Sequence, residues 1–199
     1  MILVYDLKTG NISSIKKALD FLNVKFKISD QVNDLEDCSK IILSGVGSFD
    51  NFVKRLEVND GIEKIKYQLV DKKKPFLGIC LGMQILLKNS EEGKRDGLGL
   101  INGFLKKFNT KDNLRVPHMG LNYVDVVQEN DLIINRKKFY FVHSYYAEVS
   151  KKVIFGETNY GSFFPSYIKQ DNLYGVQFHP EKSQKDGLEL LKNFSNLWV

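Results

Sequence analysis

The sequence predicts an α/β fold: a single domain spanning residues 1–199, with an open, mostly parallel sheet of flavodoxin-like type, helices on both faces, and antiparallel β additions in its second half. Three observations predict it. Residues 1–90 alternate short apolar runs with segments of helical periodicity. Residues 104–178 change to short runs rich in aromatic and β-branched residues. No internal repeat and no linker rich in Pro, Gly or Ser divides the 199 residues, a length that suits one domain.

The elements follow in order. Ile2–Tyr5 is a buried strand, and after the turn Lys8-Thr9-Gly10-Asn11 the stretch Ile12–Leu22 sets Ile12, Ile15, Leu19 and Leu22 on one helical face. Val24–Ile28 and Lys40–Leu43 are the next strands, and Asn51–Lys72 is a helix interrupted near Gly61. Phe76–Ile79 is a fourth strand with a helix over Leu81–Asn89 directly behind it. Residues 91–103 are glycine-rich and charged, and read as a loop. The runs Phe104–Phe108, Tyr123–Val127, Phe139–Tyr145, Val153–Glu157, Phe163–Lys169 and Leu173–Phe178 form hairpins, and Gln184–Trp198 closes the chain as an amphipathic helix with Ser183 as its N-cap.

Hydrophobic content of 43% and charged content of 27% belong to an ordinary soluble protein and exclude bulk disorder and fibrous repeats. The net charge is +5, but Lys and Arg are scattered among acidic residues, with no basic stripe to suit a nucleic acid. Two cysteines and three histidines are too few for a disulfide framework or a structural zinc site, so no structural metal is expected. The opening MILVYDLK is too short for a signal peptide, and no run approaches the ~18 apolar residues of a membrane span. These features predict a reduced, cytoplasmic protein with no membrane partner.

The chemistry concentrates at two places. In Gly78-Ile79-Cys80-Leu81-Gly82 an apolar strand turns at once into a helix, the geometry of a nucleophile elbow with Cys in the nucleophile position. A cysteine at a helix start is favoured as thiolate, and the Leu81 N–H points where an oxyanion forms. A thiolate nucleophile needs a base and a group to orient it. In Phe178-His179-Pro180-Glu181 the extended backbone projects residues i and i+2 to one side, so Glu181 reaches the His179 ring and leaves its other nitrogen for Cys80. Cys38 has no plausible partner group and reads as structural. His143, in a β-rich run, suits a packed core residue as well as a contact to ligand.

With these segments in view, GICLGMQ and GVQFHPEKS resemble the class I, triad-type glutamine amidotransferases, and PHMG and FVHSYYA resemble more narrowly the glutaminase subunits of imidazole glycerol phosphate synthase. The resemblance covers essentially the whole chain. It implies a Cys80–His179–Glu181 triad that hydrolyses the glutamine side-chain amide. Cys80 would form a glutamyl thioester, His179 would protonate ammonia and then activate water, and Glu181 would orient His179. It implies an oxyanion segment at Gly45-Val46-Gly47 with the Val46 N–H as a donor beside that of Leu81. Gln84 and the backbone near Gly47, Ser144 and Tyr145 would hold glutamine. It also implies a heterodimer with a (β/α)8 cyclase, into which ammonia passes, contacted by Asn11, Ser14, Met119, Lys182 and a turn carrying His118.

Two positions depart from that pattern: Ser44 stands where Pro is usual and Leu121 where Trp is usual. The first bears on how readily the oxyanion segment flips, the second removes an aromatic anchor from the expected interface. They leave two other readings open, a paralogue feeding a different synthase, such as one forming an amidino sugar of a surface polysaccharide, and a non-catalytic regulatory module. A cysteine peptidase of related fold is a more distant option.

Overall fold

Every residue of the first strand, β1 (Ile2–Tyr5), is buried, which is why its run is apolar throughout rather than alternating. Ile2 and Val4 enter the core on one face of the sheet, Leu3 and Tyr5 the core on the other. The structure is a computed structural model that describes residues 1–10, 12–109 and 114–197. After β1 come α1 (Ile12–Phe21), β2 (Phe26–Ser29), β3 (Lys40–Gly45), α2 (Phe49–Leu56), α3 (Gly61–Val70) and β4 (Phe76–Cys80). Then follow α4 (Leu81–Gln84), β5 (Asn89–Ser90), β6 (Gly103–Lys107), β7 (His118–Val126), β8 (Lys137–His143) and β9 (Tyr145–Val149). The last elements are β10 (Ile154–Tyr160), β11 (Ser162–Gln170), β12 (Leu173–Val176) and α5 (Gln184–Asn196).

Nine strands form one sheet in the order β2-β1-β3-β4-β12-β11-β10-β7-β8. Neighbours from β2 to β12 are parallel, and those from β12 to β8 are antiparallel. β12 therefore joins a parallel half, built mainly by the first part of the chain, to an antiparallel half built by the second. Side chains of α1 and α5 share a core with Val4 and Ile79 on one face, while α2, α3 and α4 contribute to the core on the other. β5, β6 and β9 make a small separate sheet. No helix among the described residues is long and apolar enough to cross a membrane.

Several boundaries differ from the sequence expectation, each for a local reason. The break before α3 is made by Asn59 and Asp60, both with positive φ; Gly61 begins α3, where a side chain would meet the Leu56 carbonyl. The helix expected over Leu81–Asn89 stops after one turn, at Gln84. Beyond it the Ile85 carbonyl accepts from the Leu98 N–H, and that of Leu86 from the N–H groups of Leu100 and Ile101, so the following loop takes acceptors that a continuing helix would use. The run Phe139–Tyr145 is two strands that part at Ser144, with β8 in the large sheet and β9 in the small one. β7 starts at His118, ahead of the expected Tyr123. α5 ends at Asn196, and Trp198 lies outside the described residues. Cys38 is buried, its thiol donating to the Leu35 carbonyl at 3.4 Å.

The close approach of α4 to β3 depends on one glycine. A Cβ on Gly82 would lie 1.9 Å from the Leu43 carbonyl oxygen, a backbone atom that cannot swing aside. Gly82→Ala is expected to destabilise the protein by roughly 1–3 kcal/mol, the usual cost of overpacking, and urea unfolding checks it. A midpoint equal to that of the parent chain would show that α4 can lift from β3 without penalty.

Candidate active site

β4 runs straight into Cys80, whose backbone takes φ 54° and ψ −107°. A non-glycine residue held there is strained, and such strain persists only where the surroundings fix it. Here they do: a Cβ on Gly78 would fall 2.3 Å from the Gly82 carbonyl oxygen, so the turn closes on itself with no room for side chains on either flank. Leu81 opens α4, and its N–H is one of the free donors of a helix start. Because α4 is a single turn, its dipole is small. The electrostatic support of Cys80 therefore rests on its neighbours.

β12 runs parallel to β4 with Val176 opposite Ile79, so the chain leaving β12 emerges beside Cys80. His179 stands there, and its Nδ1 pairs with Glu181 Oε1 at 2.7 Å, both side chains being buried. The ring's Nε2 is buried with no hydrogen-bond partner. Burial opposes a charge on the ring, but Cys80 and Glu181 outweigh it, and the His179 pKa is raised to about 10. At neutral pH the ring holds both protons, ready to give one up.

The backbone of His179 is clamped from the antiparallel half. Its N–H donates to the Tyr140 carbonyl at 2.8 Å. Its carbonyl accepts from Ser183 Oγ at 2.6 Å, and that same oxygen accepts the Tyr140 N–H at 2.9 Å. Ser183 sits at the expected N-cap of α5 but makes no capping bond, because its hydroxyl is already committed to Tyr140 and His179. It belongs to the site rather than to the helix.

A cleft of about 310 Å³ opens in front of Cys80 and is lined by Val46, Gly47, Leu81, Gln84, Ser144 and Tyr145, all named from the sequence. Val46 also borders a hollow of about 70 Å³ that contains His179, Glu181 and Lys182, so the 45–47 segment stands between the two. The Val46 N–H, expected as an oxyanion donor, instead donates to the Thr9 carbonyl at 3.1 Å. The loop after β1 lies against this segment, with Gly10 beside Gly45, and offers that acceptor. Of the expected partner contacts, Met119 and Lys182 are exposed and Ser14 is half-buried on α1, whereas Asn11 lies outside the described residues.

His118 is not on an exposed turn. It begins β7, whose alternation turns it inward while Met119, Leu121 and Tyr123 face out. Its ring lies between Phe141 and Tyr160, with Nδ1 3.0 Å from His143 Nε2. His143 Nδ1 lies 2.8 Å from the Tyr145 carbonyl, which only accepts. That fixes the chain of donors: His143 donates to Tyr145, His118 donates to His143, and the amide of Asn122, 3.3 Å away, donates to His118. His143 thus does both things the sequence left open, packing in the core and lining the cleft.

Two groups at the cleft escaped the sequence reading. Glu92, in a stretch read only as a polar loop, lines the cleft and accepts the Phe49 N–H at 2.8 Å. Gln177, fully buried, accepts from Gln84 Nε2 at 3.0 Å and donates to Cys80 Sγ at 3.7 Å. Its signal was a polar residue inside an otherwise apolar strand end.

Burial lowers the pKa of His118 to about 4 and of His143 to about 3. As pH falls below the ordinary 6.5 the unfolded chain takes up these protons first, so stability drops with pH. His179 has the opposite sign: its contribution is complete below about 6.5 and fades as pH rises toward 10. Thermal melts between pH 7 and 4 should show a falling Tm, and His118→Phe should flatten that slope. An unchanged slope would mean that the pair is solvated.

A family match brings these features together. The family described as glutamine amidotransferase class-I matches residues 3–197. The imidazole glycerol phosphate synthase subunit HisH of Leptospira borgpetersenii is 42% identical, over 99% of this chain and 100% of that one. The subunit of the same name from Methanocaldococcus jannaschii is 45% identical with the same coverage. A solved glutamine amidotransferase superimposes with a TM-score of 0.78 over 98% of this chain and 99% of its own, at 17% identity. A glutamine amidotransferase from Thermotoga maritima gives 0.66 over 90% and 75%, at 18%. Those two speak for the fold alone. This chain belongs to the class-I glutamine amidotransferase family, among the relatives of imidazole glycerol phosphate synthase subunit HisH.

Proposed function

We propose that the protein hydrolyses glutamine to glutamate and ammonia and delivers the ammonia to a (β/α)8 cyclase. That partner would form imidazole glycerol phosphate and aminoimidazole carboxamide ribotide in histidine biosynthesis, with the pair working as a soluble cytoplasmic heterodimer. The observation that carries the reading is the meeting of a strained Cys80 with the buried His179–Glu181 pair at the ends of adjacent parallel strands.

The chemistry follows from the residues present. The Cys80 sulfur attacks the side-chain amide carbon, and the oxyanion that develops sits against the Leu81 N–H. His179 gives its proton to the departing nitrogen as the C–N bond breaks, leaving ammonia and a glutamyl thioester. The neutral ring then takes a proton from water, the hydroxide adds, and the C–S bond breaks to return the thiolate. Glu181 keeps the ring's orientation through both halves. Gln84, the backbone of Gly47, Ser144 and Tyr145 hold the glutamine, and the Glu92 carboxylate complements its ammonium group. These steps call for no metal or organic cofactor.

The resemblance assigns the second oxyanion donor to Val46, whose N–H is bound to Thr9. The segment has to turn over before it serves. Val46 also borders the hollow beside Lys182, on the side proposed to meet the cyclase through Met119, Ser14 and Lys182, so docking reaches it directly. A paralogous partner is the second reading, favoured by Leu121, which stands exposed between Met119 and Tyr123 on β7 without the usual aromatic anchor.

Ammonia release from glutamine is expected to be about 10²–10³-fold slower for the chain alone than for its complex with the cyclase and ribonucleotide ligand, the usual loss for one missing oxyanion donor. Cys80→Ala should abolish it in both. No release in the complex, or activity unaffected by Cys80→Ala, would end the glutaminase reading. The cyclase that co-purifies with the chain decides between the two partners.

A further inference from the structure

The register that brings β12 beside β4 does more than deliver His179. The position after the Val176–Ile79 pair sets Gln177 next to Cys80, and while the His179 Nε2 has no hydrogen-bond partner, the Gln177 amide donates to the sulfur. Gln177 is fully buried in an apolar neighbourhood, where an unpaired amide would cost about 1–3 kcal/mol. Its carbonyl is satisfied by Gln84, and its N–H has the Cys80 sulfur at 3.7 Å. The direction of the chain matters. Gln84 donates to Gln177, which polarises the amide and strengthens its own donation to sulfur.

We infer that Gln177 is a positioning residue for the Cys80 nucleophile: its amide N–H holds the sulfur in its strained turn and stabilises the sulfur's negative charge. This deepens the glutaminase reading and rests on it. The thiol proton passes to His179, which holds it as the second ring proton, and the sulfur is left as thiolate; when sulfur attacks the amide carbon its charge passes to the oxyanion, and when the thioester is cleaved the charge returns. The Gln177 N–H is strongest toward sulfur in the first and last of these states, and takes no proton itself. α4 is too short to supply this help, and the Gln84 amide is turned to Gln177.

The test reads sulfur directly, without substrate. Iodoacetamide alkylation of the chain, followed at Cys80 by peptide mass spectrometry across pH 5–10, gives the midpoint at which the sulfur becomes reactive. The titratable groups around it are His179 with Glu181 behind it, Glu92 from the loop, and His143 and Tyr145 across the cleft; none changes in the variants. In Gln177→Met, of similar length but without a donor, the midpoint should move up by about one pH unit. Gln177→Leu also lacks the donor and introduces no charge, so its midpoint should move in the same direction by a similar amount. It carries the test if the Met variant does not fold. Midpoints equal to that of the parent in a folded variant would overturn the proposal, since a merely structural amide would lower the Tm and leave the titration alone. Failure of the glutaminase reading looks different: a parent chain with a normal alkylation profile and no ammonia release.

Discussion

The site depends on one strand pairing. β12, from the end of the chain, lies parallel against β4, from its middle, in the register that sets Val176 opposite Ile79. Everything reactive follows from that register. Cys80 leaves β4 one residue later, with Gly45 opposite it on the β3 side, while Gln177 and His179 leave β12 on the other. A slip of a single residue would turn His179 away from Cys80 and bring Phe178 in its place, because side chains alternate along an extended chain. The fully buried Val176 and Phe178 bind the register to the core, so the hydrophobic packing that stabilises the sheet also selects the one alignment with chemistry.

The antiparallel half serves the same end. It curls until β8 returns to the neighbourhood of β12, where Tyr140 makes an isolated bridge to His179. Tyr140, His179 and Ser183 then satisfy one another's backbone groups in a closed set, which fixes the backbone that carries the imidazole on an irregular stretch. The interior of this half is aromatic, with Phe108, Phe141, Phe164 and Tyr160 around the His118–His143 pair. Two neutral rings in such a core are tolerable only because each nitrogen has a partner in a single donor direction. That chain ends on the Tyr145 carbonyl, in the bend that lines the cleft.

What the sequence disclosed and what it withheld divide along a physical line. Local chemistry was legible: Gly78 and Gly82 around Cys80 announced a turn with no room for side chains, and His179-Pro180-Glu181 announced a paired imidazole. Strand positions were legible wherever burial on both faces made a run wholly apolar, as in β1. Commitments of hydrogen bonds between distant segments were not. The length of α4 was decided by a loop that takes its carbonyl acceptors, the role of Ser183 by Tyr140, and the direction of the Val46 N–H by Thr9. His118 was misplaced because a Pro-His-Met-Gly stretch reads as a turn unless one knows that a partner strand continues past it. Gln177 was passed over because an amide within an apolar stretch has meaning only when the sulfur beside it is seen.

The pairing of β4 with β12 also has a bearing on synthesis. Ribosomes add residues in order, so Cys80 is made long before the stretch that carries Gln177, His179 and Glu181. Until that stretch docks, the thiol has no proton acceptor, no amide and no clamp, and it behaves as an ordinary cysteine. Aggressive sulfur chemistry is thereby postponed until the polypeptide around it is finished, which spares the nascent chain and its chaperones from an early nucleophile.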